Sequence, residues 1–175
     1  MKLWRAYPLF GVIAVLFCLD QVTKWLAHGW LAPLTSNVNA YPYGGVPVFE
    51  NLLGVSFSLN YIVNYGAAWG HFSDLQSLLI AVRCVVITCL LGLLFFLPET
   101  DERRWPLTLI TAGALGNAFD PLLYGGVVDF FHFVLWGYDF PIFNIADSSI
   151  CLGVGWLCWA LMMKNGQPAP LFKVR

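Results

Sequence analysis

The sequence predicts an all-α membrane protein with four transmembrane helices, and two observations carry this prediction. First, 59% of the 175 residues are hydrophobic and only 11% are charged, with a mean hydropathy of +0.70. A water-soluble domain carries about 25% charged residues, so too few polar side chains remain to cover a globule in water. Second, the apolar residues gather in stretches of about 20, the length that crosses a bilayer as a helix. We expect one domain, residues 1–175.

Four apolar stretches define the predicted helices. They are residues 7–26, 75–97, 105–124 and 142–163. The second stretch is interrupted by a single charged residue, Arg83, and the charged and amide side chains of the other three lie towards one end. Each stretch therefore retains enough apolar sequence to lie in lipid.

The positions of the basic residues predict the orientation of these spans. Seven of the nine Lys and Arg residues lie before the first span, between the second and third, or after the fourth. They are Lys2, Arg5, Arg103, Arg104, Lys164, Lys173 and Arg175. The connections 27–74 and 125–141 contain no Lys or Arg, and the positive-inside rule places such connections outside. We therefore expect both termini in the cytoplasm.

The long outer connection, 27–74, contains a segment with the pattern of a β-strand. In residues 55–63, Val-Ser-Phe-Ser-Leu-Asn-Tyr-Ile-Val, apolar and polar residues partly alternate, which is typical of a strand with one buried face. We predict a small extracytoplasmic β-sheet at the membrane surface. The segment 64–69 follows as a turn that leads into a short interfacial helix.

Polar residues gather at the outer ends of spans three and four. Asn117 and Asp120 are three residues apart, hence on one helix face, and Asn144 and Asp147 repeat that spacing. Asp129 follows span three in the connection. An ionisable group at membrane depth costs about 2.5–3.5 kcal/mol on insertion scales. If these polar residues served only to hydrogen-bond the helices to one another, asparagines alone would be enough. The presence of three aspartates therefore favours a functional site.

Three further charged residues in the spans are open to more than one interpretation. Asp20 and Lys24 share a helix face and can pair, which is typical of a structural salt bridge. Arg83 either extends its charge towards the interface or neutralises one of the aspartates, and the sequence does not choose between these.

A pair of carboxyl groups in such a position can hydrolyse a peptide bond. Two carboxyls about 3 Å apart cannot both ionise, so one keeps its proton near neutral pH. The ionised partner takes a proton from water, and the neutral partner donates a hydrogen bond to a substrate carbonyl. This is aspartic protease chemistry, which needs no metal and no cofactor, and we expect none.

Other classes of protein lack their signatures in this chain. The three histidines are scattered and no HExxH occurs, which argues against a metalloprotease. Neither GxSxG nor a glycine-rich phosphate loop is present, and the five cysteines form no CxxC pair. With a net charge of −1 and no basic stripe, no nucleic-acid partner is expected.

Five short motifs cover nearly the whole chain. They are Asp20-Gln-Val-Thr-Lys24, Asn64-Tyr-Gly-Ala-Ala-Trp69, Gly113-Ala-Leu-Gly-Asn117-Ala-Phe-Asp120, Val127-Val-Asp129-Phe130 and Phe140-Pro-Ile-Phe-Asn144-Ile-Ala-Asp147. In this order, on a chain with four predicted spans, they resemble the lipoprotein signal peptidase (signal peptidase II) family, the membrane aspartyl proteases of bacteria.

The resemblance implies a function and a catalytic pair. Members of the family remove the signal peptide from prolipoproteins, cutting just before a cysteine that carries diacylglycerol. The carry-over makes Asp129 and Asp147 catalytic and Asp120 a supporting residue. It also implies a monomer in the bacterial cytoplasmic (inner) membrane, with diacylglyceryl-prolipoprotein and membrane lipid as its partners.

The same resemblance assigns the remaining site residues. Asn64, Asn117 and Asn144 would line the site and orient the peptide, and Asp20 and Lys24 would give structural support. The segment that follows Asn64 would lie over the substrate and exclude water, with Gly66 providing backbone freedom.

Two positions depart from the family's pattern. The family usually has Arg directly after the aspartate at position 120, where this chain has Pro121. The residue before Asn64 is often Arg or His in the family, and here it is Val63. Because two cations expected near the site are missing, we expect Arg83 to supply one of them.

Functions from two other classes remain as alternatives. A small proton- or cation-coupled transporter or channel subunit would also use carboxylates in the membrane, but its acidic groups should lie at several depths along one route. A structural scaffold would make the polar cluster dispensable.

Overall fold

A computed structural model describes residues 7–33, 41–65 and 76–163 of the chain. Within these residues it contains four helices and four strands, in the order α1, β1, β2, α2, α3, β3, β4, α4. The helices are α1 (Tyr7–Trp30), α2 (Gln76–Phe96), α3 (Arg104–Tyr124) and α4 (Ile145–Met163). The strands are β1 (Val46–Leu52), β2 (Val55–Asn64), β3 (Val127–Leu135) and β4 (Tyr138–Asp139).

Helix α3 packs against all three other helices and has a partly polar lining. The side chains of Thr108, Thr111 and Asp120 are fully buried in it. The two threonine hydroxyls donate to carbonyl oxygens one turn earlier, those of Arg104 and Leu107, at 2.7 Å each. Among the described helices, α1, α2 and α4 are long and apolar enough to cross a membrane. The four predicted helices are therefore present, and three of them have the composition of a span.

Glycines allow α4 to approach α3 closely. A Cβ added to Gly153 would lie 2.7 Å from the carbonyl oxygen of Pro106, and one added to Gly113 would overlap the carbonyl oxygen of Ala146. Any larger residue at these positions would push the two helices apart. Small residues at helix crossings are typical of membrane bundles, where close backbone packing replaces the hydrophobic driving force.

The four strands form one antiparallel sheet in the order β1-β2-β3-β4. Its two hairpins turn through pairs of residues with positive φ, Leu53-Gly54 and Trp136-Gly137. Such pairs are typical of type I′ turns, whose twist matches that of the flanking strands. The sheet combines two parts of the chain that lie on either side of α2 and α3.

An apolar cluster joins the sheet to the end of the helix bundle. Ala27 from α1, Tyr61 from β2, and Val128 and Phe130 from β3 pack together in it, each less than one tenth exposed. The start of β3 lies at the ends of both α3 and α4. The backbone of Val128 hydrogen-bonds to Asp120, near the end of α3, and to Asn144, just before α4. This junction contains the candidate site.

Three sequence-based boundaries are corrected by the structure. Helix α1 continues to Trp30, so the connection begins later than residue 27. The segment 125–141, predicted to be a connection without Lys or Arg, contains the strands β3 and β4, so the label all-α is too narrow. Its run of valines and phenylalanines is typical of a strand. Helix α4 begins at Ile145 rather than at residue 142.

The predicted small sheet is confirmed, since β2 (Val55–Asn64) includes the segment that the pattern indicated. The interfacial helix expected after Asn64 lies outside the described residues, and so does Gly66.

Candidate active site

The N-terminus of α4 holds the first candidate carboxylate. Asn144 precedes the helix, and its Oδ1 accepts a hydrogen bond from the backbone N–H of Asp147 at 2.8 Å. In return, the Asp147 carboxylate accepts one from the backbone N–H of Asn144 at 3.2 Å. This reciprocal pattern is a capping box. The sequence places both residues at the start of the fourth span, which agrees with the observed helix start, and the capping box holds the Asp147 carboxylate in place.

The side chain of Asn144 connects this helix start to the second carboxylate. Its Nδ2 donates to Asp129 Oδ1 at 2.7 Å, to the carbonyl oxygen of Val128 at 3.1 Å and to Asn117 Oδ1 at 3.1 Å. Asn117 in turn donates from Nδ2 to Asp147 Oδ1 at 2.7 Å. The same two amides therefore hold both carboxylates in one network.

A buried ion cluster lies beside this network. Lys24 Nζ is 2.8 Å from Asp20 Oδ2 and 2.7 Å from Asp120 Oδ2, and all three side chains are 0–2% exposed. Lys24 also donates to Asn117 Oδ1 at 3.0 Å. Buried charges require partners, and here one ammonium serves two carboxylates and an amide. The predicted pairing of Asp20 with Lys24 is present, and Asp120 joins it.

Backbone groups complete the hydrogen bonds of the ion cluster. Asp20 Oδ1 accepts from the backbone N–H of Ala146 at 2.8 Å, one of the N–H groups that a helix start leaves unpaired. Asp120 Oδ2 accepts from the backbone N–H of Val128 at 3.2 Å. Gly116 makes the approach possible, because a Cβ there would lie 2.5 Å from Asp20 Oδ2. The cluster thereby holds the backbones of both α4 and β3.

The two candidate carboxylates differ in their surroundings. Asp129 is 4% exposed, and loss of water, followed by the negative charge of Asp147, raises the pKa of Asp129 from 3.8 to about 7. Asn64 and Asn144 limit this rise because their hydrogen bonds, at 3.5 and 2.7 Å, favour the charged form. Asp147 is less completely buried as a residue.

Arg83 brings a positive charge to the site from α2. Its half-buried guanidinium interacts electrostatically with Asp120, Asp147 and Asp129. Of the two interpretations left open above, this electrostatic interaction favours the one in which Arg83 offsets the negative charge of the carboxylates. Its role in activity stays a prediction.

The structure gathers the predicted site residues into a single region. They belong to the ion cluster or to the network of carboxylates and amides, or they interact with one of these. They are Asp20, Lys24, Asn64, Arg83, Asn117, Asp120, Asp129, Asn144 and Asp147. Their individual roles remain predictions.

Gln21 belongs to this region and was not singled out from the sequence. Its Nε2 donates to Asp120 Oδ1 at 2.8 Å and to the carbonyl oxygen of Gly116 at 3.3 Å, and it lies 3.2 Å from Asp20 Oδ2. A signal was present, because Gln21 is an uncharged polar residue inside an apolar span and within the Asp20–Lys24 motif.

A row of phenylalanine rings extends from the site along the sheet. Its members, called the phenylalanine row below, are Phe49, Phe57, Phe131, Phe133, Phe140 and Phe143. Their contacting ring centroids are 4.4–6.0 Å apart. Asp129, Phe131 and Phe133 alternate along β3 and therefore share one face of the sheet. The rings are partly exposed, so this face presents an aromatic surface that leads to Asp129.

Comparison with known proteins identifies the family. The family model for signal peptidase (SPase) II matches residues 12–163. The chain belongs to the signal peptidase II family. The lipoprotein signal peptidase of Moorella thermoacetica is 32% identical over 161 residues, which cover 91% of this chain and 96% of that protein. The one from Pelotomaculum thermopropionicum is 36% identical, covering 88% and 91%.

Solved structures of similar proteins agree with this assignment. One, described as a bacterial membrane enzyme structure at 2.3 Å resolution, has a TM-score of 0.74 and 29% sequence identity, and the match covers 96% of this chain and 94% of that one. A second, at 1.9 Å resolution, has a TM-score of 0.67 at 29% identity. This signal peptidase II is therefore a membrane protease, as the resemblance predicted, and the alternative of a transporter or channel subunit finds no support.

Proposed function

We propose that this signal peptidase II removes signal peptides from diacylglyceryl-modified prolipoproteins at the outer face of the bacterial cytoplasmic membrane, cutting before the lipidated cysteine. Asp129 and Asp147 are its catalytic pair. The observation that carries this proposal is the double role of Asn144, which donates from Nδ2 to one carboxylate and from its backbone N–H to the other. The name of the curated relatives, lipoprotein signal peptidase, supports the class of substrate.

The environments of the two carboxylates suit them to different roles. Asp129 is buried and its pKa of about 7 lets it hold a proton near neutral pH, so it donates a hydrogen bond to the scissile carbonyl oxygen. Asp147 is less completely buried than Asp129, and in its ionised form it takes a proton from the attacking water.

The reaction then balances without a further group. The water oxygen bonds to the carbonyl carbon and leaves its proton on Asp147, and the carbonyl oxygen takes the proton of Asp129. When this tetrahedral intermediate collapses, the carbon–nitrogen bond breaks. The proton on Asp147 goes to the leaving nitrogen, and Asp129 recovers its own.

The catalytic assignment is tested with purified protein and a diacylglyceryl-modified prolipoprotein. Asp129→Asn and Asp147→Asn should each lower the rate of signal-peptide release by about a thousandfold or more, because each removes one proton-transfer partner at nearly unchanged volume. Asp101→Asn is the matched control, since Asp101 pairs with Arg103 before the start of α3, at the opposite end of that helix from Asp120. Peptidase activity that survives both site changes would end the assignment.

The phenylalanine row is the surface on which apolar substrate side chains lie next to the scissile bond. It is partly exposed, it shares a face with Asp129, and it is rich in aromatic area, which binds apolar groups. Phe133→Ser should therefore raise KM by about tenfold and change kcat little. Val134→Ser, on the adjacent position that points to the other face, is the control. An equal effect of both changes on KM would contradict this role for the row.

The arrangement of the chain in the membrane follows the charge pattern. We infer that α3 is a fourth span, shielded by its neighbours, since its buried threonines and Asp120 face protein rather than lipid. Both termini lie in the cytoplasm, and residues 1–175 form one domain that acts as a monomer. This proposal puts the carboxylates at the outer surface, where the scissile bond of a lipid-anchored substrate lies.

A further inference from the structure

A cavity lies at the end of the bundle opposite to the candidate active site. It has a volume of about 460 Å³ and lies between the start of α3 and the end of α4. Its lining residues are Glu102, Trp105, Trp156, Trp159, Ala160 and Met163. On α4, Met163 lies 16 residues beyond Asp147, or about 24 Å at the rise of a helix. This is close to the thickness of the hydrocarbon core, so the cavity lies near the other membrane surface.

The tryptophans converge on this cavity from two helices. Trp156, Trp159 and Met163 follow the spacing of a single face of α4, and Trp105 comes from α3. A belt of aromatic residues at the interface is common in membrane proteins, but it does not require three indoles around one space. Their side chains remain 41–61% exposed, so their faces are accessible to a ligand.

The chemistry of the lining suits a cation. Indole faces attract ammonium groups, and tryptophan does so more strongly than other aromatic residues. Glu102 adds a carboxylate to the same lining, which contains no Lys or Arg among the residues that the structure describes. An aromatic cavity with a carboxylate in its lining favours an organic ammonium over a phosphate or a free carboxylate.

The two arginines at the start of α3 do not change this preference. Arg103 is paired with Asp101 at 2.6 Å, with both side chains about one tenth exposed. Arg104 is 5% exposed. Neither guanidinium is therefore presented to an anionic headgroup at this surface.

We propose that the cavity binds the ammonium headgroup of a zwitterionic phospholipid in the leaflet opposite to the catalytic carboxylates. The lipid would contact both α3 and α4, which also carry Asp120 and Asp147 at their other ends. The site is distinct from the one that receives the prolipoprotein, and its occupation does not depend on the catalytic assignment.

Native mass spectrometry of the purified full-length protein tests this proposal. The protein is titrated with phosphatidylethanolamine, phosphatidylcholine or phosphatidylglycerol that carry the same acyl chains. We expect the two lipids with ammonium headgroups to bind about tenfold more tightly than phosphatidylglycerol, and Trp159→Leu and Glu102→Gln each to weaken them about fivefold. Trp30→Leu is the matched control, because Trp30 is 82% exposed at the end of α1 and is not part of the cavity.

Retained peptidase activity shows that each variant is folded, and Trp159→Phe provides a milder change if Trp159→Leu is unstable. A partial loss of the lipid preference in Trp159→Phe also supports the proposal, since a phenyl ring attracts cations less than an indole. Equal or tighter binding of phosphatidylglycerol would overturn it. So would a preference that persists in the double variant Trp105→Leu, Trp159→Leu.

Discussion

Two pairs of aspartates lie side by side in this protein, and their charges are balanced differently. Asp20 and Asp120 share the ammonium of Lys24 at 2.8 and 2.7 Å and are closed off from solvent. Asp129 and Asp147 contact no cation at such a distance among the described residues, and neutral amides hold them instead. The first pair therefore has a full positive charge beside it, whereas the second has amide N–H groups as its hydrogen-bond partners.

The comparison shows how the ion cluster is connected to the two carboxylates that we propose to be catalytic. Asn117 belongs to both, because it accepts a hydrogen bond from Lys24 and donates one to Asp147. An amide is neutral, so Asn117 passes on the orientation set by the ion cluster without bringing a full positive charge to Asp147. At Asp129, burial raises the pKa of the carboxyl group.

The largest effect is expected from removing Lys24, the cation shared by Asp20 and Asp120. Lys24→Met leaves Asp20 and Asp120 buried without a counter-charge, and it should lower the free energy of unfolding by about 3–5 kcal/mol. Thermal unfolding in detergent micelles measures this change. A variant as stable as the parent would show that the cluster does not hold the bundle together.

Asp129→Asn, in the pair without a shared lysine, is the matched control. Its effect on the free energy of unfolding should have the opposite sign. The pKa of Asp129 is raised on folding, so this carboxyl costs stability as pH rises from 3.8 to about 7, and the cost is full above that range. At pH 8 the variant should therefore be about 1–3 kcal/mol more stable than the parent, whereas at pH 3.5 the two should be alike. A destabilised variant at pH 8 would remove the contrast between the pairs.

An intermediate effect is expected on the pH dependence of peptidase activity. In the parent, kcat/KM should fall as pH rises through about 7, because Asp129 loses the proton that it donates. Asn64→Leu removes a hydrogen bond to the charged form, so the pKa of Asp129 rises and the falling limb moves to higher pH by up to about one unit.

Profiles of kcat/KM between pH 5.5 and 9 measure this shift. Asn64→Asp should move the limb in the same direction and further, because a second negative charge opposes ionisation. A limb that stays in place in both variants would mean that Asp129 is not the group whose proton is lost.

The smallest effect is expected at Arg83, which acts on the carboxylates from α2. Arg83→Leu removes positive charge that favours the ionised carboxylate, and it should lower kcat/KM by about fivefold at pH 6 with little change in stability. Arg83→Lys keeps the charge and should retain most of the activity. Full activity and normal stability of Arg83→Leu would dismiss the idea that Arg83 replaces a cation missing elsewhere.

Much of the fold and of the candidate site could be predicted from the sequence because the bilayer restricts what a chain can do. Apolar length predicted the four helices to within a few residues, and the expense of charge in lipid marked out Asp120, Asp129 and Asp147. The motifs predicted the family, which the comparisons confirmed. Apolar length, buried charge and short motifs are local features of the sequence, so they can be read without knowledge of packing.

The rest depended on contacts between distant parts of the chain. The sequence places Asn144 and Asp147 at the start of the fourth span, but only the folded structure shows that the side-chain amide of Asn144 also binds Asp129 and Asn117. Similarly, β3 became a strand beside β2, across two intervening helices.

The amino-acid sequence thus specified which segments form the four helices, which charged groups stand out in them and which family the chain resembles, since hydrophobicity and charge act residue by residue. Tertiary structure settled which aspartates Lys24 neutralises and which it leaves to the amides. Electrostatic energy in a buried site depends on separations of a few ångströms, and the packing of α1, α3, β3 and α4 sets those separations.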